Sequence, residues 1–153
     1  MKHPRIEALV LVLLTACAAQ KNTTSASDAA HQAHQNYVDA INSNNLDSLN
    51  GMLTDDVVFL SAGEPVMVGR AAVRPWLVSY LKTYKTHWDK PVQEFVVNGD
   101  WAFERYSYVS TDTARVGGAV IRGTGWGLLI YHHDADGKWR VARDAFGPDN
   151  PGH

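Results

Sequence analysis

The sequence predicts an α+β protein in which three N-terminal helices pack on one face of a curved antiparallel sheet and close it into a cone with a pocket inside. Three observations lead there. Apolar residues recur at helical spacing in the first half of the chain and alternate with period two in the second half. In addition, Gly123, Gly125 and Gly127 alternate along one strand, where missing side chains let a sheet bend strongly.

The elements follow in order. Ala30, Ala33, Tyr37 and Ile41 share one helical face while Gln32, Gln35, Asn36 and Asp39 take the other, which predicts a helix over Asp28 to Ser43, with Ser25 and Asp28 resembling a capping box. Asn44-Asn45 breaks it, and Asn45 caps a short helix from Leu46 to Leu53. Val57 to Leu60 is β-branched and aromatic like a strand, and Gly63-Glu64-Pro65 turns the chain. A third helix is predicted from Arg70 to Tyr84 with Pro75 in its first turn, because an interior proline costs about 3 kcal/mol. Four strands then follow, Val92 to Val97, Trp101 to Thr111, Val120 to His132 and Lys138 to Phe146. Asn98-Gly99-Asp100, Gly117-Gly118 and the Asp134 to Gly137 turn separate them.

The N-terminus has a different character. Lys2 and Arg5 precede the apolar run Ala8 to Leu14, and then comes Leu14-Thr15-Ala16-Cys17, which is secretory-signal architecture too short to span a bilayer. Leu14 to Cys17 resembles a bacterial lipobox, so residues 1–16 read as a lipoprotein signal peptide and Cys17 as the lipidated residue; a plain secretory signal is the alternative. Residues 17–27 read as that cysteine and a flexible polar tether, and 28–153 as the folded domain. Several acyl chains would hold the protein to the membrane of the bacterial cell envelope, on the periplasmic face if the cell is Gram-negative. The composition is that of an ordinary globular protein, at 45% hydrophobic and 20% charged residues. With 14 basic against 16 acidic residues there is no basic field for a nucleic-acid partner, and a single cysteine makes neither an internal disulfide nor a thiolate zinc site.

Several segments carry a family resemblance over Asp28 to the C-terminus. They are Tyr37 to Asn42 followed by Asn45-Leu46-Asp47, then Leu53 to Val57, Gly69 to Arg74, and Asp136 to Trp139 running through Asp144 to Phe146. Together they resemble the SnoaL-like and ketosteroid-isomerase-like branch of the nuclear transport factor 2-like superfamily, which implies a cystatin-like roll. The resemblance places Tyr37 at the family's phenol donor, Ser61 at the position of its carboxylate base, and no acid at the second donor, which falls between Gly127 and Leu129. Authentic steroid isomerisation is therefore not expected.

Other acids are candidates for the same pocket. Glu104, Tyr106 and Tyr108 share one face of their strand, Ala142, Asp144 and Phe146 share one face of the last, and the resemblance implies that both faces look inward. A Glu104–Asp144 pair in an apolar cone would have one pKa raised by burial and like charge. Arg105, Arg140, Arg143 or tyrosine hydroxyls would instead satisfy both acids structurally. The candidate catalytic residues are thus Tyr37, Glu104 and Asp144, and the candidate ligand-binding residues Ser61, Trp76, Tyr80, Tyr106, Tyr108 and Phe146. Trp101, Phe103 and Trp139 fall on the opposite alternation and are candidates for a homodimer contact through the outer sheet face.

Sharper motifs fail. His31 and His34 lack a third metal ligand and read as a solvated helix face, Asp134 and Asp136 lack the distal glutamate of a calcium loop, and the glycine series does not open a helix as a nucleotide fingerprint must. Neither a metal nor a cofactor is expected. Three functions fit what is left: binding of a small, largely apolar or aromatic ligand, acid–base turnover of isomerase, cyclase or dehydratase type through Glu104 or Asp144, and non-catalytic homodimeric assembly.

Overall fold

The computed structural model describes residues 13–149, with side chains from residue 28 onward. Residues 1–12 of the proposed signal segment and the Cys17 thiol lie outside that description. Three helices, α1 (Leu13–Asn42), α2 (Leu46–Gly51) and α3 (Arg70–Thr83), accompany seven strands: β1 (Leu53–Ser61), β2 (Met67–Val68), β3 (Tyr84–Asp89), β4 (Val92–Asn98), β5 (Trp101–Ala114), β6 (Val120–His133) and β7 (Trp139–Pro148). The strands form one sheet in the order β2-β1-β7-β6-β5-β3, with β4 also paired to β5. It is antiparallel except where β1 runs parallel to β7.

Helix α1 begins well before Asp28, so the backbone of residues 18–27 continues the helix where a flexible tether was expected. That stretch contains no glycine or proline to stop a helix once one has formed downstream. From residue 28 onward Ala30, Ala33, Tyr37 and Ile41 are buried, as their spacing predicts. Small alanines let the helix lie close to the sheet.

Asn42 and Asn44, at the end of α1, explain a strand that the sequence pattern does not reveal. The Asn42 amide accepts from Trp88 N at 2.7 Å and donates to Trp88 O at 2.9 Å, and Asn44 does the same for Thr86 at 2.7 and 2.9 Å. Two side chains thus act as the missing neighbour of β3, whose other edge pairs with the far half of β5. The edge is capped, and the backbone of Trp88 is fixed against the end of α1 while its ring packs on Tyr108 and Phe146.

In α3, Val73, Leu77 and Leu81 bury one stripe four residues apart. Pro75 is the sixth residue of that helix, not a member of its first turn. The lost hydrogen bond is outweighed by the buried stripe, and Pro75 itself is exposed.

Strand β5 alternates without interruption from exposed Trp101 to buried Ser110, so Ala102, Glu104, Tyr106 and Tyr108 all face inward. In β7 the alternation is broken. Ile130 pairs with Arg143 but Tyr131 with Val141, leaving Ala142 as an extra residue, a β-bulge. The bulge turns Trp139 inward, where it is 6% exposed and stacks on His133. The expectation that Trp139 belongs to the outer face is therefore corrected, while Trp101 and Phe103 do lie there, at 45% and 37% exposed.

The alternating glycines have a more specific task than curvature. A Cβ built on Gly125 would stand 2.5 Å from Cζ and Oη of Tyr108, and one on Gly127 2.7 Å from Cε1 of Tyr106 and closer still to its hydroxyl end. Each glycine is the direct cross-strand partner of the tyrosine that it admits. Rings from β5 can lie across β6 only because β6 has no side chains there.

Candidate functional site

Asp144 is the centre of the interior. It enters from β7 at 3% exposure, accepts from Tyr37 Oη of α1 at 2.8 Å on one carboxyl oxygen, and accepts from Tyr106 Oη of β5 at 3.2 Å on the other. Burial pushes its carboxyl above the usual carboxylate range and Glu104 adds to the rise, against the opposing pull of Lys90 and the two phenols. Tyr37 and Tyr106 are themselves held well above ordinary tyrosine values, first by burial and then by the carboxylate beside them. Both remain proton donors at any physiological pH.

Glu104 sits behind this group and is fully buried. Its Oε2 accepts from Tyr131 Oη at 2.9 Å and lies 2.9 Å from His34 Nδ1, while Oε1 has no partner. His34 thus leaves the solvated helix face assigned to it, because α1 turns it toward β5, whereas exposed His31 packs its ring against Phe95 at 4.1 Å. The arginines play no part in satisfying the two acids. Arg105 faces Glu94, Arg140 binds Asp134 and Asp136, and Arg143 faces Asp56, all on the outer surface.

The sequence reading missed Lys90. It follows β3 in an exposed connection, and a single lysine between Asp89 and Pro91 has no pattern to distinguish it. Yet it is 5% exposed, with Nζ 3.9 Å from the ring centre of Tyr106 and 4.8 Å from that of Tyr37. Burial lowers the affinity of its amine for a proton, and Asp144 and Glu104 partly restore it.

These groups meet at an apolar cavity of about 40 Å³ lined by Tyr37, Trp76, Tyr80, Lys90, Tyr106, Asp144 and Phe146 together with aliphatic residues. That volume holds a water or two, against roughly 150 Å³ for a cavity that accepts benzene. Among the residues singled out from sequence, Tyr37, Trp76, Tyr80, Tyr106, Asp144 and Phe146 border it. Tyr108 packs beside it on Trp88 at 4.7 Å, and Glu104 lies behind it. Ser61 borders a separate cleft with Trp126 and Gly147 at the rim. Tyr80 stacks on Trp76 at 5.5 Å and donates to Asp112 at 2.6 Å, away from Asp144; burial and that bond push its pKa up to about 12. Among the described residues no three His, Cys, Asp or Glu side chains are placed to hold a metal.

The helix-closed roll of this strand order is the nuclear transport factor 2-like, cystatin-like fold. Within it the chain belongs to the SnoaL-like domain family, whose model matches residues 34–142. A ketosteroid isomerase-like protein from Erwinia carotovora atroseptica is 25% identical and superposes with a TM-score of 0.74 over 82% of this chain and 97% of that one. A nuclear transport factor 2-like protein with a cystatin-like fold from Novosphingobium aromaticivorans covers 95% of this chain and 94% of its own at 16% identity and a TM-score of 0.72. A protein from the same organism assigned as a scytalone dehydratase gives 0.74 at 14% identity, covering 86% and 89%. No curated protein matches the chain.

Proposed function

We propose that the chain binds a small, largely apolar, oxygen-bearing ligand in the cone and that Asp144, held by Tyr37 and Tyr106, exchanges a proton with it. One observation carries this reading: a buried carboxyl with raised pKa stands at the wall of an apolar cavity between two phenols that stay protonated. The phenols supply the donors that an oxygen gaining negative charge requires. Likeness to a ketosteroid isomerase-like protein supports acid–base chemistry of isomerase or dehydratase type. The signal-like pattern of residues 1–16 and the lipobox-like Cys17 support a further part of the proposal, that this chemistry takes place on a lipid-anchored protein in the cell envelope.

NMR titration of the carboxyl groups, with and without a panel of apolar ketones and phenols, tests the site. The expected result is a raised Asp144 pKa that moves when a ligand enters, and an Asp144→Asn variant that binds without turnover. Loss of binding together with turnover would make Asp144 a recognition contact. The small cavity favours one other reading, a non-catalytic assembly module whose cone is filled by its own aromatics. An unshifted Asp144 and no response to any ligand would leave that reading standing.

A further inference from the structure

Lys90 borders two spaces. Inside, it lines the cavity with Asp144, Tyr37 and Tyr106; outside, it lines a groove of about 570 Å³ between α1 and the Asp89-Lys90-Pro91 connection, together with His34, Asp39 and Trp88. Its side chain is therefore part of the wall that the groove and the cavity share. Among the described residues no carboxylate lies within ion-pair distance of Nζ, although Asp144 of β7 and Glu104 of β5 both act on it electrostatically. The phenol rings of Tyr37 from α1 and Tyr106 from β5 close over it. A buried amine without a fixed salt bridge, lining the same cavity as a buried carboxyl, is the arrangement that amine nucleophiles need.

We propose that Lys90 condenses with small aldehydes and ketones entering the cone to form an imine. The inference rests on the cone being the ligand site and names the ligand's reactive group, a carbonyl. The neutral amine attacks the carbonyl carbon, the carbon–nitrogen bond forms as the carbonyl π pair moves to oxygen, and that oxygen takes a proton from the Asp144 carboxyl. Asp144 regains a proton from the carbinolamine nitrogen and passes it to the hydroxyl, which leaves as water as the nitrogen lone pair closes the C=N bond. The iminium then gives its remaining N–H proton back to Asp144, and the balance is one carbonyl compound and one amine giving one imine and one water. Burial favours the neutral amine that begins the sequence, whereas exposed lysines at neutral pH are almost wholly ammonium.

The purified full chain, incubated at pH 7 with propanal and sodium cyanoborohydride, converts any iminium to a stable secondary amine that peptide mass spectrometry locates. Exposed Lys82, Lys85 and Lys138 are internal standards in the same molecule. The expected result is alkylation of Lys90 at least tenfold faster than any of the three. Equal or slower alkylation of Lys90 would overturn the proposal. Propanal-induced shifts of the tyrosine ring signals, read without reductant in the wild type and in Lys90→Arg, separate the two ideas. Shifts that occur while Lys90 stays unmodified overturn the imine and leave cone binding intact; no shifts in either protein overturn both.

Discussion

Gly127→Ala is the sharpest test of how the sheet builds the site. The added methyl would stand 2.7 Å from Tyr106 Cε1, and closer to Cζ and Oη, where ordinary contact begins at 3.4 Å. The ring must therefore withdraw by about 0.7 Å at Cε1 and by more at its hydroxyl end. Gly127 does not hold a positive φ, so the backbone tolerates alanine and the effect is purely steric. Tyr106 is 1% exposed and can withdraw only into the small cavity, carrying its hydroxyl away from Asp144. Overpacking of this kind costs about 1–3 kcal/mol, and losing a hydrogen bond to a buried acid adds roughly 1.5 kcal/mol, so a total near 3 kcal/mol is expected. Urea denaturation of both proteins measures it as a lower midpoint at unchanged slope. Tyr106→Leu in the Gly127→Ala background should recover part of the loss, because the clashing ring is gone. Gly123→Ala is the control, since its Cβ meets only Ser110 Oγ, a hydroxyl that can rotate aside. A Gly127→Ala protein within about 0.5 kcal/mol of wild type, the usual range of an exposed substitution, would refute the close-approach argument.

Three further outcomes are expected. Cys17→Ser should abolish incorporation of a fatty-acid probe, because serine offers no thiol to the lipid; equal labelling would end the lipobox reading. Trp101→Glu together with Phe103→Glu should shift sedimentation toward monomer by burying charge in an apolar contact, and a wild type that sediments as monomer at every concentration would reject the dimer. Stability should also depend on Asp144 with a definite sign. Its folded pKa is raised above 3.8, so its contribution is full below that pH and is lost as pH rises through the folded value. Tyr37, Tyr106, Lys90 and Glu104 surround the carboxyl in both protonation states, so Asp144→Asn, measured by urea midpoints at a series of pH values, should gain on wild type as pH rises from about 4. A constant difference would show that Asp144 titrates normally.

What the sequence reveals and what it conceals divide along physical lines. Period-two burial in β5 is strict because one face is packed and the other solvated, so Glu104, Tyr106 and Tyr108 are legible as inward residues from spacing alone. The same reasoning places Asp144 correctly and Trp139 wrongly, because the bulge at Ala142 lies between them and a one-residue slip exchanges the faces. Strand β3 escapes notice because asparagine side chains from α1 cap its free edge, an interaction between segments about 44 residues apart that no local pattern encodes. Lys90 is hidden for a related reason. Its burial comes from rings on α1 and β5, and nothing beside it in sequence announces them.

The directions of the shifts at Asp144 and Lys90 bear on what those two residues can do together. In water a lysine at 10.5 and an aspartate at 3.8 differ so much that moving a proton from amine to carboxylate costs about 9 kcal/mol. Inside the cone, burial raises the acid and lowers the amine, so both changes shrink that cost. Tyr37, Tyr106 and Tyr131 move the other way, since burial beside carboxylates makes them still weaker acids and keeps their protons in place. The interior therefore separates its groups into phenols that keep their protons and an acid and an amine whose proton affinities are drawn together. The proposed acid–base turnover would use that acid and amine to release and recapture a proton within one cycle.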